Sequence, residues 1–109
     1  MVNKILTAAR VKYKRTRFMK PPAETYAVYM DDVETDGPDG INAIYNHDYT
    51  VEVYEPTPDD ATEAAIEAAL DAEGLAWDKQ DRYWLQDVQR YQVIYTFTYI
   101  EKRRITNHG

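Results

Sequence analysis

The chain lacks several residues on which many enzyme classes depend. Its 109 residues include no cysteine and no serine, which excludes disulfides, thiolate metal sites, a cysteine nucleophile and a Ser–His–Asp triad. Its four glycines are scattered at positions 37, 40, 74 and 109, so no glycine-rich loop is present to hold a phosphate or a dinucleotide. We therefore expect the protein to be neither an enzyme nor the carrier of a cofactor.

Long apolar runs and histidines are also scarce. No apolar run approaches the ~20 residues of a membrane-spanning helix, and no signal-peptide core opens the chain, so we expect no membrane contact. The two histidines, His47 and His108, lack a second histidine at metal-ligand spacing, which predicts no metal site. Because Asp48 adjoins His47 on a predicted strand, the two side chains point to opposite faces. We interpret His47 as structural.

The charged residues are divided along the chain. Residues 1–20 contain seven bases and no acid, residues 21–89 contain eighteen acids and two bases, and residues 90–109 contain four bases and one acid. The formal net charge of −6 is the sum of these unlike segments. For that reason the net charge does not identify a partner.

Hydrophobic spacing predicts a mixture of helices and strands. Helical spacing covers residues 2–10, followed by an extended basic stretch that ends at Pro21 and Pro22. A second helix is predicted from Thr57 as its cap to about Glu73, with Gly74 ending it. Alternating apolar and polar residues predict strands at 25–33, 41–55, 82–86 and 91–101, with a brief pairing at 75–77.

These elements predict an α+β fold: a small, largely antiparallel sheet of four to five strands with two helices packed on one face. We expect residues 1–109 to form a single domain, with 102–109 as a loose tail.

Two acidic segments are candidates for partner contacts. The segment 31–40, rich in turn residues, is predicted to be a loop that is mobile until a partner orders it. On the second helix, acids at i, i+4 spacing have no base among residues 59–73 to offset them. This helix face is either solvated or a docking face for a basic partner.

The basic stretch and the aromatic residues are the other candidates. No nucleic-acid recognition module is visible, so the stretch 10–20 is expected to contact phosphate non-specifically or to pair with the acidic part of the chain. Ten tyrosines and two tryptophans are too many for a small core, which indicates an interface and oligomerisation. The predicted interface residues are Lys12, Lys14, Arg15, Arg17, Asp31, Asp32, Glu34, Asp36, Glu63, Glu67, Asp71 and Trp84.

Three segments carry a resemblance to a known family. They are KPPAETYAVYMDD at 20–32, NHDYTVEVY at 46–54 and YQVIYTFTY at 91–99. With the order and length of the elements, they resemble the tail terminator (tail completion) proteins of long-tailed phages and prophages. The resemblance implies a short first helix, a proline-preceded strand ending in acids, a long strand, an acidic helix and a final tyrosine-rich strand.

The resemblance also implies a function without catalysis. Such proteins form a ring, typically a hexamer, on the head-proximal end of the tail tube, where they stop tube growth and meet the head connector. DNA passes through the lumen, with at most non-specific contact. The implied location is the virion, after assembly in the host cytoplasm. A basic end and an acidic middle would supply the two complementary patches of a head-to-tail ring contact.

Two alternatives remain open from the sequence. The chain could be another head–tail joining (neck) protein, which would share the structural role. It could also be an acidic module that inhibits a nucleic-acid enzyme by imitating the charge of DNA. The acidic helix and loop favour the second alternative, whereas the seven bases of residues 1–20 oppose it.

Overall fold

The computed structural model describes residues 1–36 and 42–104. Two helices lie on one face of a six-stranded sheet. In chain order the elements are α1 (Val2–Ala8), β1 (Lys12–Arg15), β2 (Tyr26–Asp36), β3 (Asn42–Glu55), α2 (Asp60–Ala72), β4 (Trp77–Lys79), β5 (Tyr83–Leu85) and β6 (Arg90–Arg104). The predicted α+β class is confirmed, with six strands in place of four to five.

The sheet has the order β1-β2-β3-β6-β4, and β5 pairs with β6 as well. Since β3 occupies one edge of β6 along its whole length, β4 and β5 share the other edge. All pairings are antiparallel except β1 with β2, which is parallel. No helix in the described part of the chain is both long enough and apolar enough to cross a bilayer.

The core lies between the helices and one face of the three long strands. On β3 the predicted alternation is confirmed, because Tyr49, Val51 and Val53 are buried while Asp48 on the opposite face is exposed. Strand β6 adds its own buried row to this face, and the helices add four buried aliphatic residues. These partners are Val93, Tyr95, Phe97, Ile5, Leu6, Ile66 and Leu70.

Helix α2 begins two residues later than predicted. Asp59, rather than Thr57, is the cap: its Oδ1 accepts a 3.0 Å hydrogen bond from the Thr62 amide. Thr25 fixes the same carboxylate through a 2.6 Å bond to Oδ2, which is a tertiary contact that local sequence does not reveal. The predicted end at Gly74 is confirmed, since this residue adopts a φ of +68°.

The segments predicted to be a loop and a tail are partly strand. Strand β2 continues to Asp36 by pairing with β3 as far as Ile44, so residues 31–36 are not a loop. Strand β6 continues to Arg104, opposite Asn42, so residues 102–104 are not a loose tail. Pairing with β3 satisfies the backbone polar groups on the inner edge of both segments, which outweighs the repulsion among the acids. Residues 37–40 and 105–109 lie outside the described part of the chain.

Beyond the helices the sheet narrows to three strands. Strand β1 pairs only with Tyr26–Tyr29, and β4 and β5 pair only with residues 90–97 of β6. Residues 30–36 of β2, 42–48 of β3 and 98–104 of β6 continue without them, and we call this part the distal sheet. Its two outer strands therefore have no neighbouring strand on one side within the described residues.

Candidate functional site

The acidic face of α2 is covered by bases from the chain itself. Glu63 is 4% exposed. Its carboxylate lies 2.8 Å from Nζ of Lys79 and 2.8 Å from Nη2 of Arg82. Glu67 lies 2.8 Å from the same Lys79 and accepts a 2.6 Å hydrogen bond from the Tyr95 hydroxyl. The interpretation of this face as solvated, or as open to a basic partner, is thus wrong for Glu63. Its bases come from outside residues 59–73.

A second buried acid completes this cluster. Glu55 is fully buried, with Oε1 3.2 Å from the Asp59 amide and 3.4 Å from Nε of Arg82. Burial, together with hydrogen bonding to Glu63, raises the pKa of Glu55 to about 7. Burial also disfavours charge on Glu63, but hydrogen bonds from Glu55, Lys79 and Arg82 outweigh it and lower the pKa of Glu63. Below about pH 7, Glu55 is therefore the protonated acid of the two, while Glu63 stays charged and is paired with bases. This arrangement holds α2 against the sheet.

His47 joins three strands through hydrogen bonds. Its Nδ1 lies 3.0 Å from Oδ1 of Asp31 on β2, and its Nε2 lies 3.1 Å from Oε1 of Glu101 on β6. The ring is buried and stacks on Tyr49 at a centroid distance of 5.3 Å. The structural role predicted for His47 agrees with this geometry. The sequence excluded Asp48 as a partner of His47 but did not identify Asp31 and Glu101, because they lie on neighbouring strands.

Both ring nitrogens of His47 face carboxylate oxygens of neighbouring strands. Within the described residues, no group of three histidine or acidic side chains is arranged to hold a metal ion. Asp31, predicted to contact a partner, instead binds His47 within the chain.

The basic stretch forms the outermost strand on one side of the sheet. Lys12 pairs with Glu24 at 3.0 Å. Lys14, Arg15 and Arg17 are exposed and form no ion pair with any described residue. Pairing with the acidic part of the chain therefore accounts for Lys12 only. The other three remain available to a partner.

The remaining predicted interface residues are dispersed. Asp32 and Glu34 are exposed on β2, while Asp36 ends this strand. Asp71 is exposed on α2, where it accepts a 2.8 Å hydrogen bond from the Trp77 indole. Trp84 is 38% exposed on β5, at the other side of the sheet. The structure thus separates the predicted residues into a basic edge, an acidic edge and an internal ionic cluster.

Sequence reasoning missed three exposed acids. Asp78 lies on β4, Asp81 lies between β4 and β5, and Asp87 follows β5. None of them forms an ion pair within residues 1–36 and 42–104. Their position beside two short edge strands would have identified them as candidate interface residues. The first of these strands, however, lies at 77–79, whereas the sequence predicted only a brief pairing at 75–77.

Comparison with known proteins gives one type of match. The sequence matches no family model and no curated protein. The backbone resembles a solved chain described as "Virion of native gene transfer agent (GTA) particle". The two superimpose with a TM-score of 0.57 over 86% of this chain and 81% of that chain, at 16% sequence identity. The shared property is the fold.

Proposed function

We propose that the protein is a virion structural protein, and within that class a ring-forming tail terminator. The observation that carries this proposal is the shared fold with a chain of a virion particle over 86% of the present chain. The sequence pattern supports the same class independently, because its strands and acidic helix resemble tail terminators. Shape and sequence pattern thus favour the same class, and the sequence pattern favours the tail terminator within it.

In the proposed role the chain contacts other copies of itself and two other proteins. Copies form a ring, which we propose to be a hexamer, that caps the tail tube and joins it to the head connector. The exposed Lys14, Arg15 and Arg17 fit contact with a negatively charged surface of a partner, or passing contact with DNA in the lumen. The proposed location is the virion, reached by assembly in the host cytoplasm. No step of this role requires a cofactor or catalysis.

The acidic face of α2 supports an inhibitor that imitates DNA less than its sequence suggests. Such a module needs exposed acids, yet Glu63 and Glu67 on this face are engaged by Lys79 at 2.8 Å. Pairing within the chain removes the charge that would attract a DNA-binding partner. A different neck protein remains the alternative, since the shared fold fits it equally.

Electron microscopy after removal of the gene from the particle that encodes it separates these roles. A tail terminator stops tube growth, so its loss is expected to give tubes of uncontrolled length that are not joined to heads. Loss of another neck protein is expected to give tubes of normal length, also not joined. Restoring the gene in trans is the control. Normal particles without the gene would contradict both roles.

A further inference from the structure

Along each of the two sides of the sheet the charge changes sign, and it does so in opposite directions on the two sides. One side, which we call the β1 side, consists of β1 and residues 30–36 of β2. Near the helices it presents the bases Lys14, Arg15 and Arg17, and along the distal sheet it presents the acids Asp32 and Glu34. This side therefore changes from positive to negative along its length.

The opposite side, which we call the β6 side, consists of β4, β5 and residues 98–104 of β6. Near the helices it presents the acids Asp78, Asp81 and Asp87, while Lys79 and Arg82 between them are engaged with α2. Along the distal sheet it presents Lys102 and Arg103, of which Arg103 also pairs with Glu101. This side changes from negative to positive.

The bases of the β1 side and the acids of the β6 side lie at similar positions along the strand direction. The pairing register connects Lys12 through Tyr26 and Tyr54 to Gln92. Strand β5 pairs with β6 at this level, at residues 90–92, and β4 pairs with β6 at residues 95–97, starting at the level of Arg15. The bases of the β1 side thus lie across the sheet from the acids of the β6 side.

We propose that copies of this chain associate side by side, the β1 side of one against the β6 side of the next, with both copies in the same orientation. In that arrangement the basic β1 faces the acidic β4–β5 segment, and the acidic part of β2 faces the basic end of β6. Inverting one copy would place bases opposite bases and acids opposite acids. The contact joins two different surfaces, so it leads to a ring if the rotation closes.

Exposed apolar residues lie on the same two sides. Among the described residues, four of the six exposed large hydrophobic residues lie on edge strands, none lies on β3 or on a helix, and Met19 and Val88 lie on the connections that follow β1 and β5. These residues are Met19 (82% exposed), Val33 (40%), Tyr83 (65%), Trp84 (38%), Val88 (47%) and Ile100 (61%). Burying them on association would supply affinity, while the charges set the orientation.

The backbone also fits a contact of this kind. Both β2 and β6 are antiparallel to β3, so they run in the same direction. Residues 30–36 and 98–104 have an outer edge without a sheet partner among the described residues. Their shared direction is the one that copies standing side by side in the same orientation require, and the outer strands β1, β4 and β5 set the spacing between the two edges.

Charge exchange tests the contact in the purified protein. The β1-side variant carries Lys14→Glu, Arg15→Glu and Arg17→Glu, and the β6-side variant carries Asp78→Lys, Asp81→Lys and Asp87→Lys. Sedimentation velocity over a range of concentrations is expected to show association of the wild type. Each variant alone should associate at least ~tenfold more weakly, because its two sides now repel. An equimolar mixture should associate again, since each side of one variant complements the opposite side of the other.

Three results would contradict the proposed contact. The wild type could stay monomeric at every concentration, or the mixture could associate no more strongly than each variant alone. A control variant could also weaken association as much as the charge-exchanged variants do. The control carries Asp48→Lys and Glu52→Lys on β3, which alters net charge away from both sides. All six side-exchange positions are exposed, so folding should persist, as circular dichroism would verify. If a triple variant fails to fold, Arg17→Glu and Asp81→Lys take its place.

This contact rests on the proposed ring, but the two proposals fail separately. If the mixture associates and particles lacking the gene are normal, the contact stands and the virion role fails. If tube length depends on the gene while the charge-exchanged variants associate as the wild type does, the role stands and the contact is wrong.

Discussion

The hydroxyl group of Tyr95 on β6 donates a 2.6 Å hydrogen bond to Oε2 of Glu67 on α2. Tyr95 is fully buried, and burial together with this bond raises the pKa of its hydroxyl. The same carboxylate oxygen lies 2.8 Å from Nζ of Lys79. One side chain in the middle of the core thus fixes α2 to the sheet and to the β4 edge.

Replacing this tyrosine should destabilise the fold. A hydrogen bond to a charged group contributes ~1.5–3 kcal/mol, so Tyr95→Phe is expected to lower the free energy of unfolding by about 2 kcal/mol. Urea denaturation would measure the change. Tyr91→Phe is the matched control on the same strand, because the Tyr91 hydroxyl has no hydrogen bond to any described residue. It should change stability by less than ~0.5 kcal/mol, and equal losses would contradict the assignment.

Stability should fall as the pH rises from about 5 to 7 because of Glu55. Its pKa is about 7 in the folded protein, whereas an unperturbed glutamate, as in the unfolded chain, has a pKa of 4.5. Between these two values the folded state therefore holds a proton that the unfolded state has lost. Losing that proton costs up to about 3 kcal/mol of unfolding free energy. Glu63 does not add to this slope, because its pKa is lowered and it titrates below the interval.

Urea midpoints at a series of pH values would show this dependence, and Glu55→Gln should remove it. Glutamine keeps the shape of the protonated acid and cannot ionise. A variant with the same slope between pH 5 and 7 as the wild type would show that another group is responsible.

The bonds of His47 should govern the opening of the distal sheet. His47→Leu removes the imidazole whose ring nitrogens lie 3.0 Å from Asp31 and 3.1 Å from Glu101 in the wild type. Amide exchange at 31–35 and 98–103 is expected to speed up by ~tenfold or more, because each lost bond to a charged group is worth ~1.5–3 kcal/mol. Exchange in α2 should stay unchanged. Uniform acceleration across the chain would instead indicate global destabilisation.

Helix α1 ends on a left-handed residue that is not glycine. Arg10 has a φ of +59°, and the Val11 amide bonds back to the Leu6 carbonyl at 3.3 Å, as at a glycine-terminated helix. Arg10→Gly should therefore raise the free energy of unfolding by ~0.5–1 kcal/mol, since left-handed backbone strains any residue with a Cβ. Ala8→Gly, at the last residue of the helix, replaces a right-handed residue and should lower it, by at most ~1 kcal/mol. A thermal scan of both variants checks the opposite signs.

The sequence predicted the elements whose pattern is local. The alternation from Tyr49 to Val53 identified β3 and its buried face, and Gly74 identified the end of α2. The partners of His47 and Glu63 were not predictable, because both depend on which strands lie side by side. Arg82 is 19 residues from Glu63 in the chain yet 2.8 Å away in space.

The strand ends were missed for a different reason. Residues 31–36 have the composition of a loop, and only the opposite strand makes them extended. Candidate interface residues were predicted where charge is concentrated in sequence. Asp78, Asp81 and Asp87 are separated in sequence and come together only along one side of the sheet.

The unpaired edges of the distal sheet could cause precipitation before assembly, and the charges on these edges oppose it. Where the distal parts of two β2 strands meet, Asp32 and Glu34 of both copies repel each other, and Lys102 and Arg103 do the same where the distal parts of two β6 strands meet. A distal β2 edge and a distal β6 edge instead attract each other, which gives each copy one acidic and one basic distal edge. Growth is thereby directional, and the number of subunits is decided by the angle between the two sides rather than by the concentration of the protein.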